Sequence, residues 1–224
     1  VMTLVLLQGL AAGACALEVT HGVASGDVTA TSAVIWSRTT AAGVMHVHYS
    51  PATGKSVIQE AHANATADRD FTAQVLIQDL QPDTLYRYDV SFGSKRRKGT
   101  AVAGLFRTAA LPDAKRDVRL IWSGDLAGQR YCRRPGIGYR IFAPMTQFGA
   151  DFFIANGDMI YADNDCPAQG IEPDWTNVAD TFPGIGDPSV DWEDINAVNE
   201  VYRAHWRYNR NDEHFQAFLA NTPQ

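Results

Sequence analysis

The sequence predicts a multidomain chain: an all-β sandwich over residues 18–109, followed by an α/β unit over residues 117–224. Three observations carry that expectation. From Glu18 to Thr108, short runs of alternating apolar and polar residues are separated by Gly, Pro and Asp clusters, the pattern of half-buried strands joined by turns. Further on, residues 118–122 and 152–155 are short continuous apolar runs, as buried parallel strands are. A helix-like segment, residues 139–148, lies between them, which gives the order of a βαβ unit. Thirdly, Leu111-Pro112-Asp113-Ala114-Lys115-Arg116 is polar and contains proline. It reads as a linker, with a boundary near Ala110.

The first 16 residues, VMTLVLLQGLAAGACA, are apolar and end in small residues. Ala14-Cys15-Ala16 fits a signal-peptide cleavage site, with the initiator Met and basic n-region missing. An incomplete signal peptide predicts export, to the periplasm or outside the cell. The run is shorter than the roughly 20 residues of a spanning helix, so no stable membrane anchor is expected. The alternative is a buried N-terminal strand or helix.

In the next segment, residues 32–37, 44–49, 71–75 and 86–90 alternate cleanly, and about seven strands are expected. Trp36 is expected at the centre of the core. His46 and His48 share a strand face at i, i+2. Without a third ligand such a pair reads as surface residues rather than a metal site. The run Lys95-Arg96-Arg97-Lys98 reads as a solvated turn.

The α/β part carries the chemistry. Both apolar runs lead into Gly-Asp: Gly124-Asp125 and Gly157-Asp158. In a βαβ unit the two strand ends share one edge of the sheet, where ligands bind in open α/β folds. Asp125 and Asp158 are therefore expected in one crevice. Two carboxylates there, with no adjacent Lys or Arg, need a proton or a cation between them. Tyr161, three residues after Asp158, can add its phenol. A single Gly-Asp is ordinary turn punctuation; two in one βαβ unit, the second followed by x-x-Tyr, make a metal site the stronger reading. Gln129 reads as a substrate or loop-orienting residue, or as plain exposed loop. Asn156 reads as a hydrogen-bond partner behind Asp158. Arg130, Arg133 and Arg134 crowd the first loop, at least two of them as surface. Residues 166–191, rich in Pro, Gly and Asp, form a long irregular insertion beside the site. Helices are expected over residues 194–207 and 213–220, the second capped by Asn211 or Asp212. His205 and His214 read as packed or surface helix residues.

The chain has 224 residues, with 19 basic and 25 acidic side chains. The net negative balance excludes the basic face of a sequence-specific nucleic-acid binder. Cleavage after Ala16 would leave two cysteines, Cys132 and Cys166. An exported compartment permits a disulfide between them, stapling the two loops; two free thiols are the alternative.

At these residues a resemblance becomes specific. Gly157-Asp158-Met159-Ile160-Tyr161 resembles the GDxxY motif of calcineurin-like metallophosphoesterases, and Ser123-Gly124-Asp125 resembles their first motif. SGDLAGQ followed by DFFIANGDMIYAD, together with HGVASGDVTATSAVIWSR at residues 21–38, is similar to the alkaline phosphatase D (PhoD-like) branch. Leu80-Gln81-Pro82-Asp83-Thr84-Leu85-Tyr86-Arg87-Tyr88 resembles the corner run of fibronectin type III domains, with Tyr86 closing the corner. The resemblance implies a fibronectin III/Ig-like sandwich preceding a metallophosphoesterase domain. It implies that Asp125 binds one metal, Asp158 bridges two and Tyr161 binds a ferric ion. The cofactors implied are two or more metal ions: Fe3+ with a divalent ion drawn from calcium, zinc or manganese. The reaction implied is hydrolysis of small-molecule phosphate esters, with water activated between the metals. Further ligands, a motif ending in His-Glu and later histidines, are expected beyond Gln224, so the chain reads as a fragment. The competing class is a non-catalytic β-sandwich binding module with a degenerate phosphoesterase remnant. Monoester against diester preference and oligomeric state have no signature here.

Overall fold

The computed structural model describes residues 16–54, 57–94, 97–163, 165–180 and 182–224. Most of the signal-peptide segment, with Cys15, lies outside these residues, as do Lys95, Arg96 and Asn164.

Seven strands of six or more residues build the first part: β1 (Val19–Gly26), β2 (Ala33–Thr39), β3 (Gly43–Pro51), β4 (Gln59–Ala65), β5 (Thr72–Ile77), β6 (Leu85–Ser94) and β8 (Val102–Arg107). The two-residue β7 (Arg97–Lys98) pairs with the end of β6. One sheet runs β1-β2-β5; the other runs β4-β3-β6, with β8 on the far side of β6. Every pairing among these strands is antiparallel. The period of two sends Ile35, Met45, Val47, Tyr88, Val90 and Phe92 inward, and their burial drives the sheets together. Tyr86 closes its corner by accepting a hydrogen bond from the Gln81 backbone N–H at 2.9 Å.

Trp36 is not in this core. On β2 the buried positions are Ala33, Ile35, Ser37 and Thr39, so strand parity turns Trp36 outward, one residue from Ile35. Its ring lies under the Arg210 guanidinium, 4.2 Å from carbon to centroid, and packs against a second apolar cluster.

That second cluster belongs to the following segment. Strands β9 (Leu120–Ser123) and β10 (Phe152–Ala155) pair in parallel, Leu120 opposite Phe152 through Ser123 opposite Ala155. Helix α1 (Phe142–Phe148) connects them, and Gly149 ends it in the left-handed conformation at φ 64°. The helix is shorter than its apolar pattern: residues 139–141 form a separate turn, where Phe142 N–H donates to the Tyr139 carbonyl at 3.3 Å and the Tyr139 N–H donates to the Asp212 carboxylate. Strand burial is also less than expected: Leu120, Trp122 and Ile154 are exposed. Helices pack on one face of this two-stranded pair, so alternate side chains on the other stay in solvent.

Helix α2 (Ile195–Arg210) starts where the Asp194 carboxylate accepts from the Asn196 N–H; α3 (Glu213–Asn221) starts where Asp212 accepts from the Phe215 N–H. Each cap satisfies a donor that the first turn leaves open. Phe142, Phe153, Phe215 and Phe218 then stack between α1, α3 and β10, with Phe142 and Phe215 centroids 4.4 Å apart.

The two parts touch through α3 and the last residues. Tyr88 Oη donates to the Ala220 carbonyl at 3.1 Å. A Cβ at Gly104 would stand 2.4 Å from that same carbonyl, so only glycine lets the helix end come this close. Gln224 exchanges backbone hydrogen bonds with Ser25 and Asp27, and Pro223 accepts one from Phe153. The sandwich and β10 are thereby laced to one short stretch of backbone.

Candidate functional site

Parallel pairing brings the ends of β9 and β10 side by side, and both turn sharply. The turn uses left-handed backbone at Asp125 (φ 58°), Ala127, Gln129 and Arg130, and again at Asp158 (φ 50°). Gly157 has φ 124°, a conformation that suits only glycine. Gly124 is needed for a different reason: a Cβ there would come within 2.9 Å of the Gly157 carbonyl. The turns are tied together where Leu126 N–H donates to Asp158 O at 2.8 Å and Asn156 N–H donates to Ser123 O at 3.0 Å.

These constraints bring three oxygen side chains to one point. Tyr161 Oη lies 2.5 Å from Asp125 Oδ1 and 3.2 Å from Asp158 Oδ2. Both carboxylates are exposed. The Tyr161 ring lies against Gly128, where a Cβ would come within 2.8 Å of it. The hydrogen bond to Asp125, then burial and the bond to Asp158, push the Tyr161 phenol well above its ordinary range. Its proton lies between two carboxylate oxygens.

The other predicted residues take distinct places. Asn156 is exposed beside this turn, its Oδ1 3.6 Å from where a Gly124 Cβ would stand. Gln129 is exposed, and its side chain makes no hydrogen bond among the described residues. Arg133 covers the Tyr208 ring and Arg134 the Trp175 ring, so both are engaged in packing; Arg130 is exposed, 3.9 Å from Asp165. Cys132 and Cys166 are buried and joined as a disulfide, closing 34 residues of sequence separation between the two loops.

Sequence reasoning missed Asn177. It is buried and spans both loops. Its Oδ1 accepts from Cys132 N–H at 3.1 Å and Trp175 Nε1 at 2.9 Å; its Nδ2 donates to Arg130 O at 3.1 Å and Pro167 O at 2.9 Å. All four hydrogen-bonding positions of the amide are used. Asn209 does similar work behind the second loop, donating to Met159 O and accepting from Tyr139 Oη. Asn177 stands in an irregular loop with no period or motif; Asn209 lies on the buried face of α2, where helical period marks burial but not the loop its amide meets.

The arrangement presents two carboxylates and a phenol on adjoining rigid turns, supported from below. This is a set of hard oxygen donors.

Comparison with known proteins gives the context. Residues 8–110 match the family model for the PhoD-like phosphatase N-terminal domain, and residues 120–224 match that for PhoD-like phosphatase. A solved structure of PhoD superposes with a TM-score of 0.65 at 18% identity, covering 92% of this chain and 38% of that one. This chain therefore spans well under half the length of that relative. An FN3 domain of human collagen XX (TM-score 0.33, 16% identity, 39% of this chain and 86% of that one) and the FN5 domain of Drosophila Lar (0.31, 19%, 40% and 92%) also match. No curated protein matches.

Proposed function

We propose, since this chain belongs to the PhoD-like phosphatase family, that it serves metal-dependent hydrolysis of phosphate esters and supplies part of the metal site. Residues 18–109 are its N-terminal β-sandwich, and residues 117–224 the opening portion of its metallophosphoesterase domain. The observation that carries the reading is the convergence of Asp125, Asp158 and Tyr161 on one point. Three oxygen donors, two of them anionic, fit hard cations, and a phenolate among them favours ferric iron, with calcium, zinc or manganese as the divalent partner. Asp158, on the second turn, is assigned the bridging role that the resemblance implies. When bound, such ions activate water and stabilise charge on a phosphoryl group.

The chain's own contribution is positioning. Left-handed backbone at Asp125 and Asp158 aims both carboxylates outward, and the hydrogen bond from Leu126 to Asp158 O sets their separation. Tyr161 must release its proton to bind a metal, and the two carboxylates that now hold that proton would themselves be neutralised by the ion. Asn156, beside the Gly124 turn, and Gln129, exposed on the loop after Asp125, are assigned the orienting of a ligand or a loop. The disulfide suits an exported protein, periplasmic or secreted. Retention of all three donors in register weighs against a decayed remnant.

Ferric uptake by the metal-stripped chain tests the assignment. Wild-type protein is expected to develop a visible phenolate-to-iron absorption band. Tyr161→Phe should lack it, and Asp158→Asn should bind iron at least about 10-fold more weakly. A band that persists undiminished in Tyr161→Phe overturns the ligand set. Release of nitrophenol from a synthetic phosphodiester, by the protein carrying its full metal complement, should fall with Asp158→Asn; unchanged turnover would sink the two-metal reading.

A further inference from the structure

A second polar cluster lies on the sandwich. The β3–β4 register sets His46 opposite His62 and His48 opposite Glu60. Alternation puts all four side chains on the outer face of the sheet, away from Met45, Val47 and Tyr49. Strand β4 is the edge of its sheet. One oxygen, Glu60 Oε1, lies 3.2 Å from His46 Nδ1, 3.3 Å from His48 Nε2 and 3.3 Å from His62 Nε2, with Lys98 Nζ at 3.4 Å. The His46 and His62 ring centroids are 4.7 Å apart. His46 is buried, whereas the Glu60 and His62 side chains are about 40% exposed, so the cluster is closed beneath and open above. Among the described residues, His46, Glu60 and His62 form the one group of three His, Cys, Asp or Glu whose ligand atoms all lie within 4.8 Å of one another.

Two features point to a cation. His46 Nε2 stands 3.1 Å from the Gly93 carbonyl. A carbonyl only accepts, so Nε2 carries a proton; without a second proton on the ring, Nδ1 faces the Glu60 oxygen with a bare lone pair. Two acceptors at 3.2 Å require a proton or a metal ion between them. An N–H given to a backbone carbonyl is also how metal-ligating histidines are oriented. The second feature is spacing. Zinc bonds of roughly 2.0–2.1 Å at tetrahedral angles set neighbouring ligand atoms about 3.3–3.4 Å apart, which the nitrogen-to-oxygen distances here nearly match. Of the three imidazoles only His46 has hydrogen-bond geometry to Glu60; the other two come close without an aligned N–H.

We propose that His46, Glu60 and His62 bind a divalent transition-metal ion of the zinc class, with solvent in the fourth position. Imidazole-rich donors select zinc, copper or nickel over calcium, which separates this site from the all-oxygen donors of Asp125, Asp158 and Tyr161. Lys98, on a flexible stem, swings aside when the ion enters. The bound ion clips edge strand β4 to β3.

The test is cobalt and zinc titration of the metal-stripped chain. Cobalt should give the intense visible bands of a tetrahedral site. Zinc at a hundredfold excess over its Kd should raise Tm by roughly 5–10 °C. Glu60→Gln and His62→Ala change exposed side chains, so both should melt as wild type does without metal, yet lose the bands and the shift. The double variant Asp125→Asn, Asp158→Asn should keep both. Absence of tetrahedral bands in wild type overturns the proposal. So does their survival in Glu60→Gln and His62→Ala, or their loss in the double aspartate variant.

Discussion

Asn177→Asp is nearly isosteric, yet it should be among the most damaging changes available outside the core. The Oδ1 side would still accept from Cys132 N–H and Trp175 Nε1. The Nδ2 side would become an oxygen facing the Arg130 and Pro167 carbonyls at about the present 3.1 and 2.9 Å. Two hydrogen bonds worth about 1 kcal/mol each are lost. A buried carboxylate pressed on two acceptors adds a further penalty, for a total of about 3–5 kcal/mol near neutral pH. At about 2–4 °C per kcal/mol for a chain of this size, Tm should fall by roughly 6–20 °C. Asn177→Ala removes all four bonds without adding a charge, and should cost about 2–4 kcal/mol. The order is the diagnostic: Asp worse than Ala at pH 7.5, with the gap narrowing at acid pH as the carboxyl takes a proton and can donate again. Urea unfolding followed by tryptophan fluorescence reads both variants, and hydrogen exchange at the Cys132 amide reports the loop itself. A cost below about 1 kcal/mol for Asn177→Asp at pH 7.5 would refute the claim that this amide ties the loops together.

Three further outcomes are expected. Cys132→Ser with Cys166→Ser opens a closure of 34 residues' separation, for which chain entropy gives about 3.8 kcal/mol; equal urea midpoints for variant and wild type would contradict it. Burial, with Arg38 next, lowers His21 to about pH 4. The folded state therefore stays neutral there while the unfolded chain takes a proton below about pH 6.5. Its stabilising contribution is complete above that pH and is lost between about 6.5 and 4, and His21→Gln should flatten the pH dependence of Tm across that window. Trp36→Ala strips the aromatic face from Arg210, whose burial lowers it to about 10. It should destabilise by about 2–4 kcal/mol, against near neutrality if Trp36 were an ordinary exposed strand residue.

Much of the architecture was legible because it rests on local rules. Alternation located the sandwich strands, and Gly-Asp after an apolar run located both turns. Leu80 to Tyr88 located the corner that Tyr86 closes. What failed was assignment to a face. Trp36 looked like a core residue because it is large and aromatic, but parity against Ile35 decides its direction, and only the partner sheet tells which parity faces in. His46 and His48 were visible as a pair, while Glu60 and His62 join them through a strand register that no local pattern specifies. Asn177 was invisible for a related reason: three of its four partners lie 10 or more residues away along irregular loops, where no period exists to read.

The left-handed backbone at Asp125 and Asp158 sets stability and chemistry at odds. Any residue with a Cβ pays there, by up to about 1–2 kcal/mol, a penalty that glycine escapes. Asp125→Gly and Asp158→Gly would relax both turns while deleting two of the three converging oxygens. Selection for heat resistance alone, applied to a library of this chain, would therefore drift toward glycine at both positions. The aspartates would persist only where the screen also asks for the proposed metal binding.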